Sequence, residues 1–365
     1  MLYRTTISIF LVVALQACVS NRVGFTEPPS KQRPVKDSTH FDPDKLQDVT
    51  SFIKDKSVTT GLVVLHKGKT VYQYGKVKKL SYLASCRKSV LSMLYGKYVT
   101  DGTIDLETSI GELGIREKDS LLDIEKTATI YDLITSRSGV HHVASNGGYD
   151  KDNFQERGSV VPGEYFVYNN WDFNVAGHVL ELYAKQSIYE ELEEQLAIPL
   201  GFEDWKLKRQ RKSGNTSKSL FKAYHMYLST RDMAKIGQLM LNKGKWEGKQ
   251  LIAEEWVNRM VAPVTPHEVL RERYGDPGEE GIHMSYGLMW WLFDSYKDLP
   301  AYKGAYSAIG YGGQYITVFP AIDVVIAHKT KLGLWRLLEW RKTGDAYYWD
   351  IMHKIIASYQ SSPQS

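Results

Sequence analysis

Two runs of alternating, β-branched-rich sequence stand near each end of the chain, and helical patterns fill the space between them. In "GLVVLHKGKTVYQYGKV", residues 61–77, the runs flank Lys67-Gly68-Lys69, which predicts a β-hairpin. Toward the other end, "YGGQYITVFP" and "DVVIAHKT" predict a second strand pair turning at Ala321–Asp323. A helix is predicted at 43–56, where Leu46, Val49, Phe52 and Ile53 share a face. Another closes the chain in "DAYYWDIMHKIIASYQ". The stretch of roughly 85–260 reads as mainly helical, with "WDFNVAGHVLELYAK" and "STRDMAKIGQLMLNKGKW" as its clearest periodic segments. The segment 81–106, "SYLASCRKSVLSMLYGKYVTDGTIDL", predicts one amphipathic helix with Val90, Leu91, Leu94, Tyr98 and Val99 as its apolar stripe. The fold class expected is therefore α/β (α+β). An antiparallel sheet assembled from both chain ends is flanked by the terminal helices, with a helical lobe inserted in a domain spanning 41–365.

The first residues break this pattern. "MLYRTTISIFLVVALQACVS" has one arginine, an apolar run too short to span a bilayer, and then Leu15-Gln16-Ala17-Cys18. This resembles the bacterial lipobox, which implies a signal peptide over 1–17 and a lipid on Cys18. It also implies an exported, periplasmic chain anchored to the membrane through that lipid. Residues 18–40 are polar and proline-bearing, as expected of a linker. Composition adds exclusions rather than a function. The 365 residues are 43% apolar and 24% charged, with a formal net charge of +4, so nothing points to nucleic acid as a partner. Cys18 and Cys86 are the only cysteines, which rules out a disulfide framework and a CxxC metal site.

The candidate chemistry begins at Ser85 and Lys88. Three residues apart, they fall on one helical face. A serine at a helix start sits where backbone N–H groups and the helix dipole favour an oxyanion, and a lysine in a dry site can take the serine proton. The spacing also fits ordinary first-turn helix residues, and Ser-x-x-Lys recurs at Ser51/Lys54 and Ser219/Lys222. Two further segments carry suitable groups. "EYFVYNNWDFN" holds Tyr168-Asn169-Asn170, the single Tyr-x-Asn among 24 tyrosines. "IGYGGQYITVF" holds Tyr311-Gly312-Gly313, whose glycines suit close approach of the backbone to a ligand.

Together with "ATIYDLITSRSGV", "IPLGFEDWK" and "YLSTRDMAKIGQLMLNKGKWEGKQLI", these motifs resemble the serine β-lactamase and penicillin-binding-protein superfamily from about residue 60 to about 330. The resemblance is nearer to its class C-like branch of esterases, D,D-peptidases and 6-aminohexanoate-dimer hydrolases. It implies Ser85 as nucleophile, Lys88 as base and Tyr168 as proton relay to the leaving group. It further implies Asn170 as a substrate or lysine contact, Tyr311, Gly312 and Gly313 along the substrate, and the Ser85 and Gln314 amides as oxyanion donors. The family places Lys-Thr-Gly or His-x-Gly where this chain has Tyr311-Gly312-Gly313. A phenol cannot supply the charge that meets a β-lactam carboxylate, so efficient lactam hydrolysis is not expected whereas ester or amide hydrolysis is.

Other chemistry is thinner. His141 and His142 are adjacent and would point opposite ways in an extended segment, and no His-Glu-x-x-His, P-loop or Gly-x-Ser-x-Gly appears. No metal or cofactor is expected, and the partner is a small-molecule or peptide-like acyl substrate. The charged stretches "EKDSLLDIEK" and "KLKRQRKSGNTSKS" read as solvated loops, and Trp171 and Tyr311 as site aromatics facing an apolar acyl group. The reading that follows is an exported serine hydrolase. Its rivals are a non-hydrolytic penicillin-binding or sensor module of the same fold, and a weak β-lactamase or D,D-peptidase.

Overall fold

A computed structural model describes residues 40–147, 150–278, 281–330 and 345–360. The expected signal peptide, Cys18 and nearly all of the expected linker lie outside the described residues. Helix α1, Pro43–Lys56, starts where Asp42 accepts hydrogen bonds from the amides of Asp44 and Lys45, with Pro43 in the first turn. The hairpin β1 (Thr59–His66) and β2 (Lys69–Gly75) follows. Five more strands come late in the chain: β3 (His283–Tyr286), β4 (Trp291–Ser295), β5 (Tyr306–Gly310), β6 (Gln314–Phe319) and β7 (Val324–Thr330).

These seven strands form one antiparallel sheet in the order β2-β1-β7-β6-β5-β4-β3, so the N-terminal hairpin docks beside the last strand. The pairing Val63↔Ala327 and Val64↔Ile326 fixes which side chains face which layer. On one face Leu62, Val64 and Ile326 pack under α1 and the closing helix Asp345–Ser358. On the other, Val63, Leu65, Ile316 and Val325 join a larger core shared with the helical region. The sheet from both chain ends and its covering helices are as the alternating pattern implies.

Between the two parts of the sheet run α2 (Cys86–Thr100), α3 (Asn170–Ala184), α4 (Thr230–Leu241) and α5 (His267–Tyr274), with shorter helices and two-stranded ribbons. The stretch 81–106 departs from expectation in two ways. Its helix spans only Cys86–Thr100, because Ser81 and Tyr82 pair as strand with Leu228 and Tyr227. It is also not amphipathic: Arg87, Lys88, Ser89 and Ser92 are buried along with Leu91 and Leu94. A helix buried all round is a core element, and polar residues inside it must be held by specific partners.

Helix α4 reaches the sheet through Gly237, where an added Cβ would stand 2.4 Å from Val325 Cγ1 and 2.9 Å from Ile316 Cγ2. Gly237→Val is expected to cost about 1–3 kcal/mol by overpacking, read as a lowered denaturant midpoint with an unchanged slope. An unchanged midpoint would mean that this helix can lift off the sheet freely.

Candidate active site

The turn into α2 decides where the serine points. Ala84 takes a left-handed φ of 50°, a conformation that costs a non-glycine residue about 1–2 kcal/mol, and it swings the chain sharply into the helix. Ser85 then stands as the residue before the first helical turn, yet its side chain makes no capping hydrogen bond. Its hydroxyl instead lies 3.2 Å from Lys88 Nζ. Its backbone N–H meets no acceptor among the described residues. The capping explanation for this serine therefore fails on geometry.

Lys88 Nζ also lies 2.7 Å from Tyr168 Oη, and it sits 4.0 Å from the centre of that ring and 4.4 Å from that of Phe173. Ser85 and Tyr168 are partly exposed, while Lys88 is 1% exposed. No carboxylate pairs with Lys88 among the described residues. Burial first, and then the neighbouring Arg87 charge, hold its amine well below the usual lysine range. Burial pushes the Tyr168 phenol up to about 12, against the pull of the Ser85 hydrogen bond and of Arg87. Burial thus favours the neutral form of each partner, an amine beside a protonated phenol, with the serine hydroxyl in reach of both. The other two Ser-x-x-Lys pairs have no such geometry: Ser51 Oγ donates to the Gln47 carbonyl on α1, and Ser219 Oγ to Glu117.

Tyr168 is held from several sides. Asn169 caps α3 by accepting from the Trp171 amide, and its Nδ2 donates to the carbonyls of Val140 and His142. Asn170 opens the helix, buried, with Nδ2 donating to the Gly147 carbonyl at 2.6 Å. The backbone of Tyr168 donates to Tyr274 Oη on α5 and accepts from the Asp150 amide. Its ring lies among Phe173, Tyr286 and Trp291.

Tyr311-Gly312-Gly313 forms the turn between β5 and β6 rather than the start of a strand. Gly312 and Gly313 have φ of 75° and 92°, which glycine alone adopts without strain. An added Cβ on Gly313 would stand 2.6 Å from Thr330 Cγ2. Gly310 packs on the α2 entry, where an added Cβ would meet the Leu83 carbonyl at 2.5 Å and Cys86 Sγ at 3.1 Å. The hairpin tip and the turn at Ser85 are therefore neighbours. Tyr311 stands 76% exposed at that tip, and its N–H has no acceptor among the described residues. Gln314 is buried, with its side-chain amide donating to Thr330 Oγ1 and, at 3.4 Å, to the Gly312 carbonyl. Cys86 is a core residue whose thiol donates to the Gln314 carbonyl.

Some sequence readings need correction. Trp171 is not a site aromatic, because it is wholly buried with Nε1 donating to Glu117 Oε1. "EKDSLLDIEK" is not simply a solvated loop: Glu117 also accepts from the Leu220 amide, and buried Glu125 pairs with Arg157. His142 is bonded to Asp119 and His141 to the Gln155 backbone. Two cations were missed. Arg87, 1% exposed, lies over the Tyr224 ring at 4.2 Å with Nη2 donating to Asn174 Oδ1, and it has no carboxylate partner among the described residues. Lys329 donates to the carbonyls of Ser81 and Leu228, and burial lowers its amine to about 7. The sequence signal for both was their placement: Arg87 inside the Ser-x-x-Lys turn, Lys329 inside a strand that is otherwise core.

Comparison with known proteins follows the same outline. The Beta-lactamase family profile matches residues 48–331. An uncharacterized protein of Alkalihalophilus pseudofirmus is 25% identical over 268 residues, 67% of this chain and 71% of the relative. A 6-aminohexanoate-dimer hydrolase of Paenarthrobacter ureafaciens is 29% identical over 107 residues, which cover 29% of this chain and only 24% of that enzyme. Among solved structures, EstCE1, described as a hydrolase with promiscuous acyltransferase activity, superposes with a TM-score of 0.61. At 12% identity over 86% of this chain and 97% of that one, it is a likeness of fold.

NMR of protein labelled at lysine Cε should find the Lys88 transition well below the ordinary lysine range and Lys329 titrating near 7, each assigned by its methionine variant. Removing a like charge favours the ammonium, so Arg87→Met should move the Lys88 transition to higher pH. A wild-type Lys88 that titrates in the ordinary lysine range would contradict this site.

Proposed function

The chain belongs to the Beta-lactamase family, and on that premise we propose that it is an exported serine hydrolase cleaving an ester or amide through an acyl-enzyme on Ser85. The observation that carries this reading is the single amine of Lys88 shared between the Ser85 hydroxyl and the Tyr168 phenol, sealed from water. Such an amine accepts the serine proton as Oγ bonds to the substrate carbonyl carbon. The carbonyl oxygen, now an anion, is met by the free Ser85 amide and by the hairpin, through Gln314 and the acceptor-free Tyr311 amide. As the tetrahedral centre collapses, the bond to the leaving group breaks, and that group takes up a proton relayed from Lys88 through Tyr168. Water then attacks the acyl-enzyme by the reverse route, and Ser85 regains its proton. The family's hydrolase character supports this course, and the depressed Lys88 amine favours lysine over a Tyr168 phenolate as the base.

The pH dependence has a definite sign. A lysine with a lowered pKa is the active base above that value, so kcat/KM falls as pH drops through it, and the fall lies below the ordinary lysine range near ~10.5. The substrate preference turns on Tyr311, which offers no cation to a lactam carboxylate. A missing charge-assisted hydrogen bond is worth about 1.5–3 kcal/mol, or roughly ten- to a hundredfold in rate.

A fluorophosphonate probe should label the wild type and Ser51→Ala but not Ser85→Ala. p-Nitrophenyl acetate should be hydrolysed with a higher kcat/KM than nitrocefin, and Tyr311→Lys should move that ratio toward nitrocefin. Equal labelling of Ser85→Ala would remove the nucleophile assignment, and a wild-type preference for nitrocefin would overturn the reading of the hairpin.

Export rests on the N-terminal segment. Its short apolar run ending in Cys18 supports a lipid tether. Cys18→Ser should abolish acyl-chain incorporation and release the protein from the membrane fraction; unchanged retention would point to a different anchor.

A further inference from the structure

Beside Tyr168 opens a cavity of about 410 Å³, within the range of pockets that enclose a small organic ligand. Its wall on one side is α5, through Leu270 and Tyr274; on the other it is the edge of the sheet, through Met284 on β3 and Trp291 on β4. Ile282 and Pro277 complete an apolar lining. The two walls are fixed relative to the catalytic turn. Tyr274 Oη accepts the Tyr168 backbone N–H at 3.3 Å, the Trp291 ring lies 5.8 Å from that of Tyr168, and Arg273 stacks 3.4 Å from the Tyr165 ring.

The ionic groups at the rim are already engaged. Asp150 accepts from Asn153 Nδ2 at 2.8 Å, Arg271 faces Asp276 at 3.9 Å, and His267 lies between Glu268 and Asp294. An anionic ligand group would enter a largely apolar space whose one arginine, Arg271, already faces Asp276, at a large desolvation cost. A neutral apolar group would only shed water.

The position relative to Tyr168 decides which part of the substrate lies here. Resting on the acyl-enzyme reading above, Tyr168 hands the proton to the departing oxygen or nitrogen, so the space against its ring lies on the departing side. We propose that this cavity receives the leaving group, and that the enzyme is selective for esters or amides of neutral, apolar alcohols or amines of medium alkyl or aryl size. In the acylation step the Ser85 Oγ–carbon bond forms and the carbon–oxygen or carbon–nitrogen bond breaks. The released alcohol or amine, protonated through Tyr168, departs through the cavity. Leu270 lines it from α5 and Met284 from the sheet edge.

The test separates the two sides of the scissile bond. On the full chain, kcat/KM is measured for ethyl, butyl, hexyl and octyl acetate by acetate release, and for p-nitrophenyl esters of acyl chains from acetate to octanoate. In the acetate series each added methylene should raise kcat/KM by about fourfold until the cavity is full, from the usual transfer free energy of a buried CH2. The acyl series should be nearly flat. Met284→Trp, or Leu270→Trp from the opposite wall should the first variant fold poorly, should abolish the rise in the acetate series by shortening the cavity. A rise confined to the acyl series would overturn the leaving-group assignment, and two flat series on an enzyme that turns over p-nitrophenyl acetate would show that the cavity is no subsite. Absence of both ester turnover and Ser85 labelling would instead overturn the hydrolase reading itself.

Discussion

An uncharged lysine between a serine hydroxyl and a tyrosine phenol persists only where water is excluded and no carboxylate intrudes. In water the same amine would be an ammonium, unable to accept a proton. Much of the molecule maintains that condition. Helix α2 is buried on every side, the Phe173 and Tyr168 rings cover the amine, and the charge next to it is Arg87 rather than an acid. A carboxylate in that place would restore the ammonium and leave an ion pair with no basic group. The site is therefore built on withholding a counter-ion.

That choice is costly for folding, and the surrounding contacts offset it. Arg87 is desolvated, with neutral partners such as Asn174 and the Tyr224 ring in place of its hydration. Ala84 is strained, and Lys329 is buried with backbone carbonyls as its acceptors. Against these stand polar anchors with their own partners satisfied. Glu117 gathers Trp171, Ser219 and Leu220 around one carboxylate, and Asn169 ties the start of α3 to the loop at Val140–His142. Arg137 joins the carbonyls of Gly163 and Glu164 to Thr265. A buried polar group stripped of its partner costs about 1–3 kcal/mol, so each anchor is sensitive to substitution although none touches Ser85. Strain at Ala84 and satisfaction around it belong to one design.

The parts legible in the sequence were those set by local physics. Strand alternation and Lys-Gly or Ala-Ile-Asp turns specify the two hairpins, and Asp42-Pro43 with one apolar face specifies α1. The pairing of both ends into one sheet followed because neither hairpin is stable alone. The closeness of Ser85 and Lys88 was legible because spacing on a helix implies a shared face, whereas Tyr168 beside them was implied only by the family resemblance. What was not legible depends on distant partners. α2 was read as amphipathic because Arg87, Lys88, Ser89 and Ser92 are polar letters, and only the tertiary fold shows them buried. Glu117 looked like surface until Trp171, 54 residues on, and Leu220, 103 residues on, were brought to it. Trp171 was assigned to the site by proximity in sequence to Tyr168. On a helix, three positions on from the tyrosine, it turns into the core, whereas Trp291 reaches the tyrosine from the sheet.

On the acyl-enzyme reading proposed above, charge and shape divide the labour of recognition unevenly. Around the scissile bond everything offered is polar: the Ser85 amide, the hairpin amides, an amine and a phenol. One step beyond Tyr168 the wall becomes Leu270, Met284 and Trp291, with Arg271 at the rim facing Asp276 and Asp150 hydrogen-bonded to Asn153. At the hairpin tip, where a cation would select an anionic substrate, an exposed phenol stands. Backbone donors and a proton relay treat esters and amides alike, because both present the same carbonyl oxygen and the same tetrahedral centre. Discrimination must then come from burial of the departing group, which scales with apolar area rather than with charge. A site of this kind separates substrates by how much water they shed beside Tyr168, and it leaves the chemistry at Ser85 common to all of them.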